Sequence, residues 1–199
     1  MPRIFVAIPV APTGRGGLGQ LGAHKAPALR WVAEHQYHIT LKFLGDVDEN
    51  DVAAVHEAVE QAVATAMPAR PARIVDEAAA DPSADGLLLV ARGVGAFPNP
   101  RRARVIWAGV AGDVVPLRRV QAAVNEQLGL RGFEADDRPF SPHITVARAR
   151  QPLPLPKVLE AYAEHDFGRW RAEHIVVVES VLTPSGPHYT VRSRIPLVP

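Results

Sequence analysis

Two stretches decide how this sequence reads: Tyr37-His38-Ile39-Thr40-Leu41-Lys42-Phe43-Leu44 and, 105 residues beyond the first histidine, His143-Ile144-Thr145-Val146. Both carry the pattern His-x-Thr-apolar, and both are built from strand-forming residues. In a strand successive side chains alternate, so His and Thr at i and i+2 share a face while Ile39 and Leu41, or Ile144 and Val146, point into a core. Each stretch offers an imidazole and a hydroxyl side by side. One such pair is ordinary on a half-exposed strand. Two pairs in matching phase, facing each other across a cleft, would make a symmetric pocket of two His and two Thr.

Working outward, residues 3–10 read as a first strand, closed by Pro9 and Pro12. Residues 13–26 are glycine-rich, and each glycine weakens a helix by about 1 kcal/mol relative to Ala; any helix there would turn Leu18 and Leu21 inward. Val52, Val55, Val59 and Val63 predict a helix after a cap at Asn50 or Asp51, stopped by Pro68 and Pro71. Residues 73–95 read as two strand segments around a polar stretch, the second containing Leu87-Leu88-Leu89-Val90. Residues 105–110 form another strand. Asp113 starts a second helix, with Leu117, Val120, Val124 and Leu128 on one stripe and Gly129 at its end. A short helix is expected over 156–164, and two last strands over 175–181 and 189–197, joined by a turn at Thr183-Pro184-Ser185-Gly186-Pro187. This order of strands, helices and local hairpins favours an α+β fold over a parallel, doubly wound one.

Composition removes several classes. The chain has 199 residues, 47% of them hydrophobic, which supports a sizeable core. It has no cysteine, which excludes a disulfide scaffold, a cysteine zinc site and a thiol nucleophile. No apolar run approaches the roughly 18 residues of a membrane helix, and residues 4–10 read as a strand rather than a signal peptide. With no export signal, the cytoplasm is the expected location. A net charge of +1 argues against broad binding to long nucleic acid but leaves room for a local basic patch. No linker divides the chain, so residues 1–199 are expected to form one domain and, in solution, a monomer.

A cleft with two His and two Thr suits hydrolysis at phosphorus. One imidazole activates water and the other protonates the leaving oxygen, near its unperturbed pKa of about 6.5. The hydroxyls of Thr40 and Thr145 bond non-bridging oxygens. No metal or other cofactor is required. A zinc site on the two histidines would need a third ligand from Asp136, Asp137 or His188, and no metal-ligand spacing supports it.

These features, with Arg30-Trp31-Val32, Leu41-Lys42-Phe43-Leu44-Gly45-Asp46-Val47, Gly95-Ala96-Phe97-Pro98-Asn99-Pro100-Arg101-Arg102, Val105-Ile106-Trp107, Arg138-Pro139-Phe140-Ser141-Pro142-His143 and the tail from Glu179 to Tyr189, resemble the 2H phosphoesterase superfamily. Within it they are most similar to the bacterial and archaeal RNA 2',3'-cyclic phosphodiesterases, also called 2'-5' RNA ligases. The resemblance implies a bilobal α+β fold, with two pseudo-symmetric antiparallel sheets flanked by helices around a central cleft. It implies an RNA or nucleotide with a 2',3'-cyclic phosphate end as substrate, opened to a 2'-phosphate, with reverse 2'-5' ligation in the same site. It makes His38 the general acid toward the 3' oxygen, His143 the base for water, and Thr40 and Thr145 the phosphate contacts. It also implies a base sandwich from Phe43 and Arg148, five places after each histidine.

Strand parity opposes that sandwich. Residues 38, 40 and 42 share a face, so each strand must end, twist or bulge before Phe43 and Arg148; otherwise Phe43 is a core residue. Arg101, Arg102 and Arg104, with Arg148 and Arg150, are expected to form a basic patch for upstream phosphates, unless they are a solvated loop. Two alternatives remain open at this stage: the same site acting on another cyclic nucleotide or a 2'-5' oligonucleotide, and a nucleotide-binding module without turnover.

Overall fold

In the computed structural model, residues 1–24, 27–67, 86–136, 138–184 and 186–197 are described. Strand β1 (Arg3–Pro9) is followed by helix α1 (Pro12–Gly22), the short strand β2 (Leu29–Trp31) and the first motif strand, β3 (His38–Asp46). Helix α2 (Val52–Ala66) precedes the hairpin of β4 (Leu87–Phe97) and β5 (Ala103–Gly112). Helix α3 (Val114–Gly129) leads to the second motif strand, β6 (His143–Leu153). A short helix α4 (Lys157–Glu160), then β7 (Asp166–Ala172) and the hairpin of β8 (His174–Thr183) and β9 (Gly186–Pro196), complete the chain.

The strands pair antiparallel in the order β7-β4-β5-β6-β3-β1-β8-β9, with β2 alongside β6. Two four-stranded halves are visible in that order, one ending in β6 and the other in β3. They meet at a single bridging pair among the described residues, Ile39 with Ile144. Counted outward from this seam, the halves correspond: β6 with β3, β5 with β1, β4 with β8, and β7 with β9. The two expected antiparallel sheets are therefore joined edge to edge, and the α+β reading holds.

The main core lies between the sheet and its helices. Helices α2 and α3 pack on each other; α2 reaches β8 and β9, while α3 reaches β3 and β4. Their stripes, Val55, Val59 and Val63 on α2 and Leu117, Val120, Val124 and Leu128 on α3, are buried as the periodicity predicted. Strand β1 is buried on both faces. Ile4, Val6 and Ile8 enter this core, whereas Phe5 and Ala7 join Val176 and Val178 in a smaller cluster on the opposite face.

The glycine-rich segment does form a helix, with Leu18 and Leu21 buried. Tertiary contact explains its glycines. A Cβ at Gly17 would stand 1.9 Å from the Phe167 carbonyl oxygen, and one at Gly14 would stand 2.6 Å from the Trp170 ring. Glycine lets α1 settle directly on β7, and the packing offsets the weak helix propensity. Strand β7 itself has no counterpart in the sequence reading. Its buried residues, Phe167, Trp170 and Ala172, break the period of two around Gly168, which has φ 129°.

The expected helix starts hold as positions, Asp51 at the N-cap of α2 and Asp113 at that of α3, but neither side chain caps its own helix. Asp48, not Asn50 or Asp51, accepts a backbone hydrogen bond at the single 3-10 turn ahead of α2. The carboxylate of Asp113 accepts from the backbone N–H of Leu88 instead of from its own helix. The expected strand segment between 73 and 85 lies outside the described residues.

Candidate active site

Both motif strands carry a bulge at the same place. On β3, Phe43, Lys42 and Thr40 pair with Phe5, Val6 and Ala7 of β1, so Leu41 is the extra residue. On β6, Arg148, Ala147 and Thr145 pair with Val105, Ile106 and Trp107 of β5, so Val146 is the extra residue. A bulge opposes two residues to one and reverses the parity beyond it. The consequence is visible in burial. From each histidine the side chains run half-buried, buried, half-buried, buried, buried, exposed. Parity is broken where the base sandwich required it, and Phe43, at 68% exposed, is not a core residue.

The same bulge turns Lys42 inward, where it is 3% exposed. Its ammonium donates to Asn125 Oδ1 at 2.6 Å and to the Glu134 carbonyl at 2.5 Å, which ties β3 to α3 and to the segment after it. A buried ammonium requires such partners.

At the seam, the Ile39–Ile144 bridge places His38 across from Thr145 and Thr40 across from His143. The four side chains occupy one face, related by the local two-fold axis of an antiparallel pair. Both rings are fixed in the same way. His38 Nδ1 lies 2.6 Å from the Gln36 carbonyl oxygen, and His143 Nδ1 lies 2.8 Å from that of Ser141. A carbonyl only accepts, so each Nδ1 carries the proton and each Nε2 is left for chemistry.

Aromatic rings brace both imidazoles. Phe5 and Tyr189 lie 5.0 and 5.6 Å from His38, centroid to centroid. Phe97 and Trp107 lie 5.0 and 6.4 Å from His143. The Trp107 ring fits because position 95 is glycine: a Cβ there would come within 2.2 Å of it. Burial among these groups lowers both histidine pKa values below the ordinary imidazole value. The Nδ1 hydrogen bonds oppose the shift, and the charge of Arg148 adds to it in both cases. His143 lowers His38 further. Burial also raises the Tyr189 phenol.

A cleft of about 1010 Å³ opens over β3 and β6, lined by His38, Phe43, Thr145 and Arg148, with Phe5 and Tyr189 in its wall. Thr40 and His143 lie on the same face of the seam, just outside that lining. The lining also holds Arg3, Arg30 and His188, and no carboxylate among the described residues. A chain with a net charge of +1 thus places Arg30 and Arg148 at one cleft, beside Arg3, which pairs with Asp46.

Arg102 is exposed on the 3-10 turn 100–102, where its backbone N–H donates to Asn99 Oδ1, and it is not among the residues that line this cleft. The sequence alone assigns no role to the aromatic walls or to Arg30, although Arg30, Phe97, Trp107 and Tyr189 lie in the stretches that carry the resemblance. Phe5 and Trp107 sit directly across from Phe43 and Thr145, so the strand register carries the signal that the linear sequence lacks.

Of the zinc candidates, Asp136 pairs with Arg138 and Asp137 lies outside the described residues. Among the described residues no three His, Cys, Asp or Glu side chains form a metal-sized cluster. No described helix is long and apolar enough to cross a membrane.

The sequence profile of the 2'-5' RNA ligase superfamily matches residues 18–183. An RNA 2',3'-cyclic phosphodiesterase of Aeropyrum pernix is 31% identical over 170 residues, 84% of this chain and 85% of that protein. One of Thermus thermophilus is 32% identical over 203 aligned positions, 98% of this chain and 90% of that protein. A crystal structure of a Thermus thermophilus protein superposes with a TM-score of 0.70 at 30% identity, covering 98% of this chain and 97% of the other. E. coli LigT, crystallised with 3'-AMP, shares the fold with a TM-score of 0.72 at 22% identity, covering 98% of this chain and 97% of LigT.

Proposed function

The chain belongs to the 2'-5' RNA ligase superfamily, and on that premise we propose that it hydrolyses the 2',3'-cyclic phosphate at an RNA end to a 2'-phosphate, without a metal. The observation that carries the mechanism is the repeated pair: an imidazole with Nδ1 on a backbone carbonyl and a threonine across the seam, present twice around Ile39–Ile144.

The cyclic phosphate sits over the seam, its non-bridging oxygens taking hydrogen bonds from the hydroxyls of Thr40 and Thr145. His143 Nε2 accepts a proton from water as the water oxygen bonds to phosphorus. The P–O3' bond breaks, and His38 Nε2 gives its proton to the departing 3' oxygen. The phosphate remains on the 2' oxygen. The cycle ends with His143 charged and His38 neutral, and proton exchange with solvent resets them. The assignment of acid and base follows the family resemblance, since the near-symmetry of the site leaves the two histidines alike. Run backwards with a 5'-hydroxyl in place of water, the same steps form a 2'-5' linkage. The exposed Phe43 ring and the Arg148 guanidinium stand on opposite sides of the seam, suited to holding the terminal base between them.

The test is turnover of a short RNA bearing a 2',3'-cyclic phosphate, in EDTA, by the native chain, His38→Ala and His143→Ala, with the product end identified. Conversion to a 2'-phosphate that is lost in both variants is the expected result. Activity surviving both substitutions, or appearing only with added metal, refutes the mechanism.

A further inference from the structure

We propose that a second cavity, on the far side of Arg30, holds the nucleotide 5' to the cyclic end, so that the chain favours polynucleotide ends over cyclic mononucleotides. The inference rests on the reading above and deepens it.

The cavity measures about 900 Å³ and is lined by Leu29, Arg30, Arg150, Gln151, Leu153 and Pro184, among others. Arg30 lines both this cavity and the cleft, so the two adjoin at this residue. Strand register aligns them. Arg30 pairs directly with Arg148 across β2 and β6. Arg148 and Arg150 are both exposed and two residues apart, so they share a face about 7 Å apart. Starting from Thr145, β6 therefore carries a phosphate contact, then Arg148, then Arg150, in a line leading away from the seam. The hairpin β8–β9 closes the far side. Gly186, at φ 131°, lies against Arg30: a Cβ there would come within 2.0 Å of the guanidinium.

The chemistry of the cavity fits a nucleotide. It carries two guanidiniums and no carboxylate among its described lining. Gln151 can both donate and accept, and Leu153 and the prolines offer apolar surface to a base. With the terminal base between Phe43 and Arg148, the 5' phosphate of that nucleotide leaves toward Arg30, and the next nucleoside falls into the second cavity. Contacts of this kind go to the backbone and tolerate any base sequence. This line of arginines is the basic track for the upstream strand.

The experiment compares adenosine 2',3'-cyclic phosphate with di- and trinucleotides ending in the same cyclic adenosine, for the native chain and Arg150→Gln. The native chain is expected to gain roughly tenfold in kcat/KM from the first added nucleotide, chiefly through KM. Arg150→Gln loses that gain and hydrolyses the cyclic mononucleotide as the native chain does. Binding of a fluorescent trinucleotide with a 2'-phosphate end gives an independent readout: the slope of log Kd against log salt becomes shallower by about 0.7 in the variant, the value for one phosphate contact on a single strand. Length-independent turnover, a gain that persists in Arg150→Gln, or an equal loss on all substrates overturns the inference. If the folded native chain turns over none of these substrates, the hydrolase reading fails, and the binding readout still decides the cavity. Length-dependent binding weakened by Arg150→Gln supports it, and binding indifferent to either overturns it.

Discussion

His38 and His143 sit in matched surroundings, and the asymmetry between them is that His143 adds to the lowering of His38. General acid–base groups contribute typically ~10²–10⁴-fold, and each His→Ala variant is expected to lose kcat within that range with the fold intact by circular dichroism. Burial and Arg148 hold both pKa values below the ordinary imidazole value. One ring must be charged and the other neutral, so kcat/KM against pH should be bell-shaped, with its maximum on the acid side of neutrality. Arg148→Gln removes a cation that depresses both rings, and both limbs of the profile should then move to higher pH. An unmoved profile would mean that Arg148 does not act on the histidines through its charge. The same shifts have a stability consequence. A depressed folded-state pKa means that the unfolded chain binds protons more readily, so this contribution is present above the unfolded value of about 6.5 and is lost as pH falls through the folded values. Urea midpoints should therefore drop between pH 7.5 and pH 5, and drop less in a His38→Ala, His143→Ala protein.

At the scale of elements, the bulges at Leu41 and Val146 convert a strand pattern into a site. Without them, Phe43 and Arg148 would face the core and Lys42 would face the cleft. The helix α1 shows the converse case, in which packing overrides propensity. Gly16 and Gly17 are neighbours in that helix, yet a Cβ at Gly16 meets nothing within 4 Å and one at Gly17 meets the backbone of β7. Gly16→Ala is expected to stabilise the protein by up to about 1 kcal/mol through helix propensity alone. Gly17→Ala must push α1 off the sheet and is expected to cost about 1–3 kcal/mol. Thermal or urea unfolding of the two variants checks both signs, and equal effects would show that α1 does not pack as closely as described.

For the molecule as a whole, the chain weaves its two halves together. The half ending in β3 takes β1 and β3 from the start of the chain and β8 and β9 from its end, and encloses a half built from the middle. Neither half is a self-contained terminal segment, and we propose that the chain is one bilobal domain. Trp107 and Trp170 report on the middle half, so urea unfolding followed by their fluorescence and by far-UV circular dichroism should give coincident transitions. Separate transitions would show that the halves unfold independently. The sequence by itself determined the strand pair with its histidines and threonines, the two amphipathic helices α2 and α3, and the antiparallel class. These rest on alternation, periodicity and breakers, which act between near neighbours. Only the tertiary structure decided that Phe5, Trp107 and Tyr189 wall the imidazoles, that Phe43 emerges from the core, that α1 needs its glycines, and that Arg30 adjoins the cleft. Each of those depends on which strand lies beside which, and in what register, and no local pattern along the chain encodes that.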